Sequence, residues 1–278
     1  MKTQESWQNY GVDFSKPLIM GILNITPDSF SDGGQYLAPQ KAVEHALQMI
    51  TDGADIIDIG GESSRPGAEP VAEEEELKRV IPVIEKIREA TNGLISIDTY
   101  KANVAQKALQ AGANWVNDIS GVRFDSRMSD VLRQWDCPVV VMHMKGKPRT
   151  MQENPVYDDV LQEIGNFFAE QIKFLHDNGI TKLILDAGIG FGKRLEDNLQ
   201  ILAHLESFKK FGYPLLLGIS RKSFIGHLTA KTVDQREAGT LAAQVWSIIK
   251  GVHIIRTHDV QQTKDSLTIV KAIMENVN

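Results

Sequence analysis

Seven polar residues that lie far apart in the chain, Asn24, Asp98, Asn117, Asp186, Lys222, Arg256 and His258, share one setting. Each closes a short apolar, β-branched run or follows closely behind one. Asp98, Asn117 and Asp186 carry carboxylate and amide groups. In a site kept dry by neighbouring side chains, a polar group left unpaired costs about 1–3 kcal/mol. A flat heterocycle with an amidine-like N–H pair would satisfy them, because one carboxylate can accept two such hydrogens side by side. Lys222 offers the complementary donor to a ring oxygen or nitrogen. Ser220 and Arg221 precede that lysine, and Arg256, Thr257 and His258 stand together later in the chain. These hydroxyls and cations suit an anion, and a phosphorylated or pyrophosphorylated substrate follows. His258 adds a charge that is expected to switch near the ordinary histidine pKa of about 6.5.

Elements that bring such residues together can be read from the same runs. They are Leu18 to Leu23 ending at Asn24, Ile56 to Ile59 around Asp58, Leu94 to Ile97 ending at Asp98, and Trp115-Val116 ending at Asn117. Then come Val139 to Met142 ending at His143, Leu183 to Leu185 ending at Asp186, Leu215 to Ile219 ending at Ser220, and His253 to Ile255 ending at Arg256. Their continuous hydrophobicity is that of strands covered on both faces. Between them the apolar spacing predicts helices over 39–51, 72–90, 101–111, 126–135, 157–178, 195–211, 234–250 and 260–275. Gly53, Gly112, Gly179 and Gly212 follow helical segments and suit left-handed caps. The acidic run Glu73 to Glu76 would oppose the dipole of its helix.

Eight alternating β/α units match a (β/α)8 TIM barrel, an α/β fold here read as a single domain over 1–278, with an open doubly wound sheet as the alternative. In a barrel all strand carboxyl ends meet at one face, so the polar ring would surround one mouth. Two long loops would flank it, residues 24–34 after the first strand and 60–67 after the second. Both are rich in Gly, Ser, Asp and Pro, and both suit lids that exclude water.

Composition removes several classes of function. With 36 acidic and 30 basic residues the net charge is -6, which gives no general attraction to nucleic acid or an anionic membrane. The single cysteine, Cys137, excludes a disulfide within the chain and a cysteine cage for a metal, and its apolar setting suits a structural thiol. No targeting segment or membrane span is legible, so a cytoplasmic location is expected. His45, His176 and His204 fall in helical segments and are expected at the surface, without partners.

The stretches 21–34, Gly-Ile-Leu-Asn-Ile-Thr-Pro-Asp-Ser-Phe-Ser-Asp-Gly-Gly, and 58–67, Asp-Ile-Gly-Gly-Glu-Ser-Ser-Arg-Pro-Gly, carry a family resemblance. Through them the chain resembles the dihydropteroate synthases, pterin-binding barrel enzymes of folate biosynthesis and the target of sulfonamides. Residues 186–193, 220–226 and 256–259 support the resemblance, and Ser64 departs from a threonine common in the family while keeping the hydroxyl. The resemblance implies a transferase that condenses 6-hydroxymethyl-7,8-dihydropterin pyrophosphate with p-aminobenzoate, giving 7,8-dihydropteroate and pyrophosphate with Mg2+. It implies that Asp98, Asn117, Asp186 and Lys222 hold the pterin, with Met142 and Gly218 along its pocket. Ser64, Arg256, His258 and Asn24 would meet the pyrophosphate, with Asn24 also on the metal. The p-aminobenzoate would lie among Phe30, Arg65, Pro66, Phe191, Ser220 and Arg221. It further implies a homodimer through the later helices. A pterin-dependent methyltransferase barrel and a non-catalytic pterin-binding protein are the alternatives.

Overall fold

The computed structural model describes the backbone of residues 5–8, 10–26, 34–65 and 67–276, and within these the side chains of 7–8, 10–26, 39–65 and 67–276. Eight strands pair in parallel and in chain order: β1 (Leu18–Asn24), β2 (Ile56–Gly60), β3 (Leu94–Asp98), β4 (Trp115–Asp118), β5 (Val139–Met142), β6 (Leu183–Asp186), β7 (Leu215–Gly218) and β8 (Ile254–Thr257). Leu18 of β1 pairs with Ile254 of β8, which closes the barrel and sets aside the open sheet. A short α1 (Glu5–Gln8) precedes β1. The outer ring is α2 (Gly34–Asp52), α3 (Glu73–Ala90), α4 (Ala102–Gln110), α5 (Met128–Trp135), α6 (Val160–Asp177), α7 (Leu195–Ala203), α8 (Ser223–Thr229), α9 (Glu237–Ile249) and α10 (Val260–Met274).

The departures from the sequence reading have local causes. Helix α6 starts at Val160 and not at 157, because the Asp159 side chain accepts from the N–H groups of Leu161 and Gln162 at 3.0 Å each and caps the helix there. The segment predicted as one helix over 195–211 is α7 followed by a 3-10 stretch, Leu205–Phe211. Helices α1 and α8 have too few residues for an apolar period to register. The four predicted cap glycines, 53, 112, 179 and 212, all have positive φ, between 74° and 112°. Of the acidic run at the start of α3, Glu76 does more than face a dipole: it is buried and takes a 2.5 Å bond from Lys101 Nζ. Cys137 is buried and free, and burial pushes its thiol up to about 12.

Successive side chains of a strand point to opposite faces, and here each face has its own core. Ile19, Ile57, Ile97, Val141, Leu185 and Leu217 face outward and pack under the helices. Leu18, Met20, Ile56, Trp115, Val140, Ile184, Leu216 and Ile254 fill the lower barrel, and Trp7, Val12 and Phe14 from the amino-terminal segment pack against them. The same inward parity, continued toward the carboxyl ends, belongs to Asn24, Asp58, Asp98, Asn117, Met142, Asp186, Gly218 and Arg256. An apolar plug therefore supports a polar layer.

Trp115 is the largest side chain of that plug and is fully buried, with its indole N–H unpaired. Trp115→Ala is expected to lose about 3–5 kcal/mol. Trp115→Phe should lose markedly less, since no hydrogen bond goes with the indole. Urea denaturation of the two variants checks the order.

Candidate active site

Four carboxyl-end residues are tied together inside the mouth. Arg256 Nε donates to Asp58 Oδ2 at 2.6 Å, and an Nη of the same guanidinium donates to Asp98 Oδ2 at 2.6 Å. Asn117 Nδ2 donates to the same Asp58 oxygen at 2.9 Å. Strands β2, β3, β4 and β8 are thus joined through one buried network. Asp186 stands at the end of β6 and accepts at Oδ1 from the Gly188 N–H at 2.8 Å. Its carboxylate and the charges of Lys222 and Arg256 act on one another, so residues expected at the heterocycle end and at the anion end stand within electrostatic reach at the carboxyl ends of the strands.

Burial shapes the titration of this ring, because a charged form loses its water there. Asp98 is pushed up to about 7, with Arg256 pulling the other way. Burial likewise pushes Asp186 up to about 6 and Lys222 down to about 8. Lys222 Nζ lies 4.0 Å over the Phe191 ring, which is packed with Ile119, Met142, Met144 and Met151. Met142 and Phe191 therefore wall the same side of the mouth, although the family resemblance assigns them to different ligands. Gly218 lines the floor, where a Cβ would come within 3.8 Å of Arg256.

At the rim, Ser220 is buried, and its hydroxyl lies 3.0 Å from His258 Nδ1 and accepts from the His258 N–H at 3.3 Å. The histidine does not match its sequence-based expectation. Burial first, then the charges of Arg256 and Arg221, lower its pKa to about 4, so in the unliganded protein it is neutral at neutral pH. Arg65 also contributes to that shift, which sets the exposed end of the loop after β2 near the end of β8. Arg221 has a left-handed backbone (φ 58°) and its guanidinium pairs with Asp259. Ser64 is half-buried on the loop after β2, and Asn24 is half-buried at the end of β1. Phe30, Pro66 and most of the proposed first lid, residues 27–33, lie outside the described residues.

Several residues escaped the sequence reading. Asp58, fully buried, was passed over as part of an apolar strand. His143 and Lys193 form a buried pair, Nδ1 to Nζ at 3.0 Å, and burial drives Lys193 down to about 7 and His143 far below its usual value. The available signal for Lys193 was its place after three alternating glycines. His176, expected without a partner, bonds to the Tyr213 hydroxyl at 2.5 Å.

Donors for a metal are sparse: among the described residues no group of three or more His, Cys, Asp or Glu side chains could hold an ion. The Asn24 amide makes no hydrogen bond among them. A hard divalent cation that keeps several waters and takes most of its remaining ligands from a substrate diphosphate fits that arrangement. An all-protein cage does not.

The model of the pterin binding enzyme family matches residues 20–258. The dihydropteroate synthase of Escherichia coli K12 is 47% identical over 269 residues, covering 96% of this chain and 95% of the relative. Among solved structures, Xanthomonas albilineans dihydropteroate synthase with 4-aminobenzoic acid superposes with a TM-score of 0.90 at 43% identity, covering 96% of each chain. The same organism's enzyme in complex with 7,8-dihydropteroate gives a TM-score of 0.86 at 41% identity, with 96% and 97% covered.

His258 provides a test of the site's electrostatics. Between about pH 6.5 and 4 the unfolded chain takes up a proton that the folded chain refuses here. The residue therefore contributes stability at neutral pH that is lost as the pH falls through that window. An NMR titration of the ligand-free protein is expected to place its midpoint near 4; a midpoint at the ordinary value would mean an imidazole open to water.

Proposed function

Because the chain belongs to the pterin binding enzymes, and among them to the dihydropteroate synthases, we propose that its barrel mouth performs the family's condensation with the residues described above. The enzyme is a transferase of folate synthesis. It joins 6-hydroxymethyl-7,8-dihydropterin pyrophosphate to p-aminobenzoate, releasing pyrophosphate. The observation that carries the assignment of residues is the Asp58–Arg256–Asp98 linkage, which puts an anion-binding guanidinium within hydrogen-bond distance of a heterocycle-binding carboxylate.

In this reading Asp186 receives the paired N–H groups of the pterin. Asn117, Asp98 and Lys222 meet its other edges, and Met142 and Gly218 give it flat walls. Two N–H donors of Arg256 already serve Asp58 and Asp98, and the remaining ones are available to the diphosphate together with Ser64 and His258. Asn24 would hold Mg2+ beside the diphosphate. When bound, that ion supplies charge neutralisation to the leaving group.

The chemistry breaks the bond between the pterin methylene carbon and the diphosphate oxygen, whose electron pair leaves with pyrophosphate. The aniline nitrogen then forms the new C–N bond and gives up a proton. Arg256 and a protonated His258 stabilise the departing anion; an arriving polyanion opposes the effects that hold His258 neutral in the free protein. Asp98 and Asp186, once ionised, lie beside the positive charge that develops on the dihydropterin. No protein nucleophile is needed. Phe191, Ser220, Arg221 and Arg65 are the described residues proposed to receive p-aminobenzoate, alongside Phe30 and Pro66.

Two broader features belong to the proposal. We read the whole chain, 1–278, as one domain acting in the cytoplasm; among the described residues no helix is long and apolar enough to cross a membrane. A homodimer through the later helices is supported by the exposed Trp246 and Ile249 of α9 and Ile269 and Ile273 of α10.

Incubation with both substrates and Mg2+ should release pyrophosphate in step with dihydropteroate, and Arg256→Ala should raise the KM for the pterin pyrophosphate far more than that for p-aminobenzoate. An equal rise in both would put the anion end elsewhere. Sedimentation equilibrium at micromolar concentration is expected to give the mass of two copies, and a single-copy mass would remove the dimer.

A further inference from the structure

The loop after β6 is built around one buried amino group. Lys193 Nζ is buried and lies 2.9 Å from the Gly188 carbonyl oxygen, 3.1 Å from that of Phe191, 3.2 Å from that of His143, and 3.0 Å from His143 Nδ1. Three of these neighbours are carbonyl oxygens, which only accept, so the ammonium form, with three donors and no lone pair, matches them better than the amine. Burial presses the group toward the amine, and these acceptors press it back.

The loop can wrap this closely because Gly188 and Gly192 carry left-handed φ angles of 66° and 63°. A Cβ on Gly188 would stand 2.0 Å from the His143 carbonyl oxygen, and one on Gly192 would stand 2.2 Å from that of Lys145. Backbone of the connections after β5 and after β6 is therefore in close contact, with the Lys193 amino group as the link between the two segments. The neighbouring carbonyls are held as well: Gln152 Nε2 donates to Gly190 at 2.7 Å and the Tyr157 hydroxyl donates to Gly192 at 2.7 Å.

We infer that Lys193 is a positioning residue for the p-aminobenzoate half of the site, acting through the backbone of Phe191. Asp186 is fixed by its own strand, paired to Met142 and Leu216. Phe191 has no strand to hold it. Its ring is aimed at Lys222 and the methionine cluster by a backbone whose carbonyl ends on the Lys193 ammonium. Removing the amino group should therefore disturb the ring more than the pterin carboxylate, which feels Lys193 through charge alone. The inference rests on the proposed placing of Phe191 against p-aminobenzoate.

Lys193→Met, Lys193→Arg and Phe191→Leu, assayed by pyrophosphate release with each substrate varied in turn, test it. Lys193→Met is expected to raise the KM for p-aminobenzoate about tenfold or more while the KM for the pterin pyrophosphate moves less than about threefold. Lys193→Arg keeps the charge but offers a planar fork to converging acceptors, so its KM for p-aminobenzoate should fall between wild type and Lys193→Met. If Lys193→Met fails to fold, Lys193→Arg alone decides: a rise confined to p-aminobenzoate supports the inference, and an unchanged value overturns it. Equal rises for both substrates also overturn it, since a general loosening of the barrel would produce them. Should Phe191→Leu raise the KM for p-aminobenzoate while the lysine variants do not, the inference about Lys193 falls and the placing of Phe191 stands. A Phe191→Leu enzyme with unchanged KM values removes both.

Discussion

The guanidinium of Arg256 between two buried carboxylates is the constraint on which the mouth of this barrel depends. Nε and Nη reach Asp58 and Asp98 only if β8, β2 and β3 bring their inward side chains to one place in the mouth, and Asn117 joins the same Asp58 oxygen only if β4 does so too. The register agrees, with Gly60 opposite Asp98 and Asp98 opposite Asn117. Buried ion pairs of this kind are poor sources of stability, because desolvation offsets most of the attraction. Their value here is geometric. A hydrophobic trio would pack as well and leave no fixed charge at the end of the strands.

The same burial accounts for the electrical state of the mouth. Asp98 near 7, Asp186 near 6, Lys222 near 8 and His258 near 4 have all been moved toward their neutral forms. At neutral pH His258 is then neutral and Asp98 only partly ionised, whereas Asp186 and Lys222 remain mostly charged. A ligand that offered paired N–H groups at one end and a polyanion at the other would supply the partners that favour the charged forms. Its binding would then complete the charging of Asp98 and His258.

Much of this could be read from residue order alone, and the reason is the period of a strand. Met20, Ile56, Val140, Ile184 and Leu216 occupy the lower barrel, and the inward residues at the carboxyl ends of their strands are Asn24, Asp58, Met142, Asp186 and Gly218. A polar residue of inward parity that closes an apolar run is therefore a position in the mouth, whereas His143, one step off that parity, packs against Tyr157 and Phe167 instead. Asp58 was hidden because it sits between Ile57 and Ile59, where a carboxylate carries no visible sign of its partner 198 residues away. Lys193 was hidden for a related reason: its partners are backbone carbonyls, which every sequence possesses. The neutrality of His258 could not be read either, since it depends on how much water and how many arginines surround the ring. Loop contacts that depend on residues 27–33 and 66 lie outside the described structure.

Two kinds of support meet in the mouth, and they behave differently. The groups proposed to face the pterin, Lys222 apart, stand on strands whose lower halves are filled by Trp115 and its neighbours, so any movement of theirs must disturb a close-packed interior. The groups proposed to face p-aminobenzoate stand on connections: Phe191 on the loop after β6, Ser220 and Arg221 after β7, Arg65 after β2. Connections lack a ladder of their own, and here local pins replace it: the Lys193 ammonium for Phe191, the Asp259 carboxylate for Arg221, and the His258 ring and backbone N–H for Ser220. On the proposed placement, one substrate seated on strands and the other on pinned loops would be a division that lets one pocket stay rigid while the other adapts. It would also confine the consequence of losing a single pin to one substrate, which a site built wholly on strands could not do.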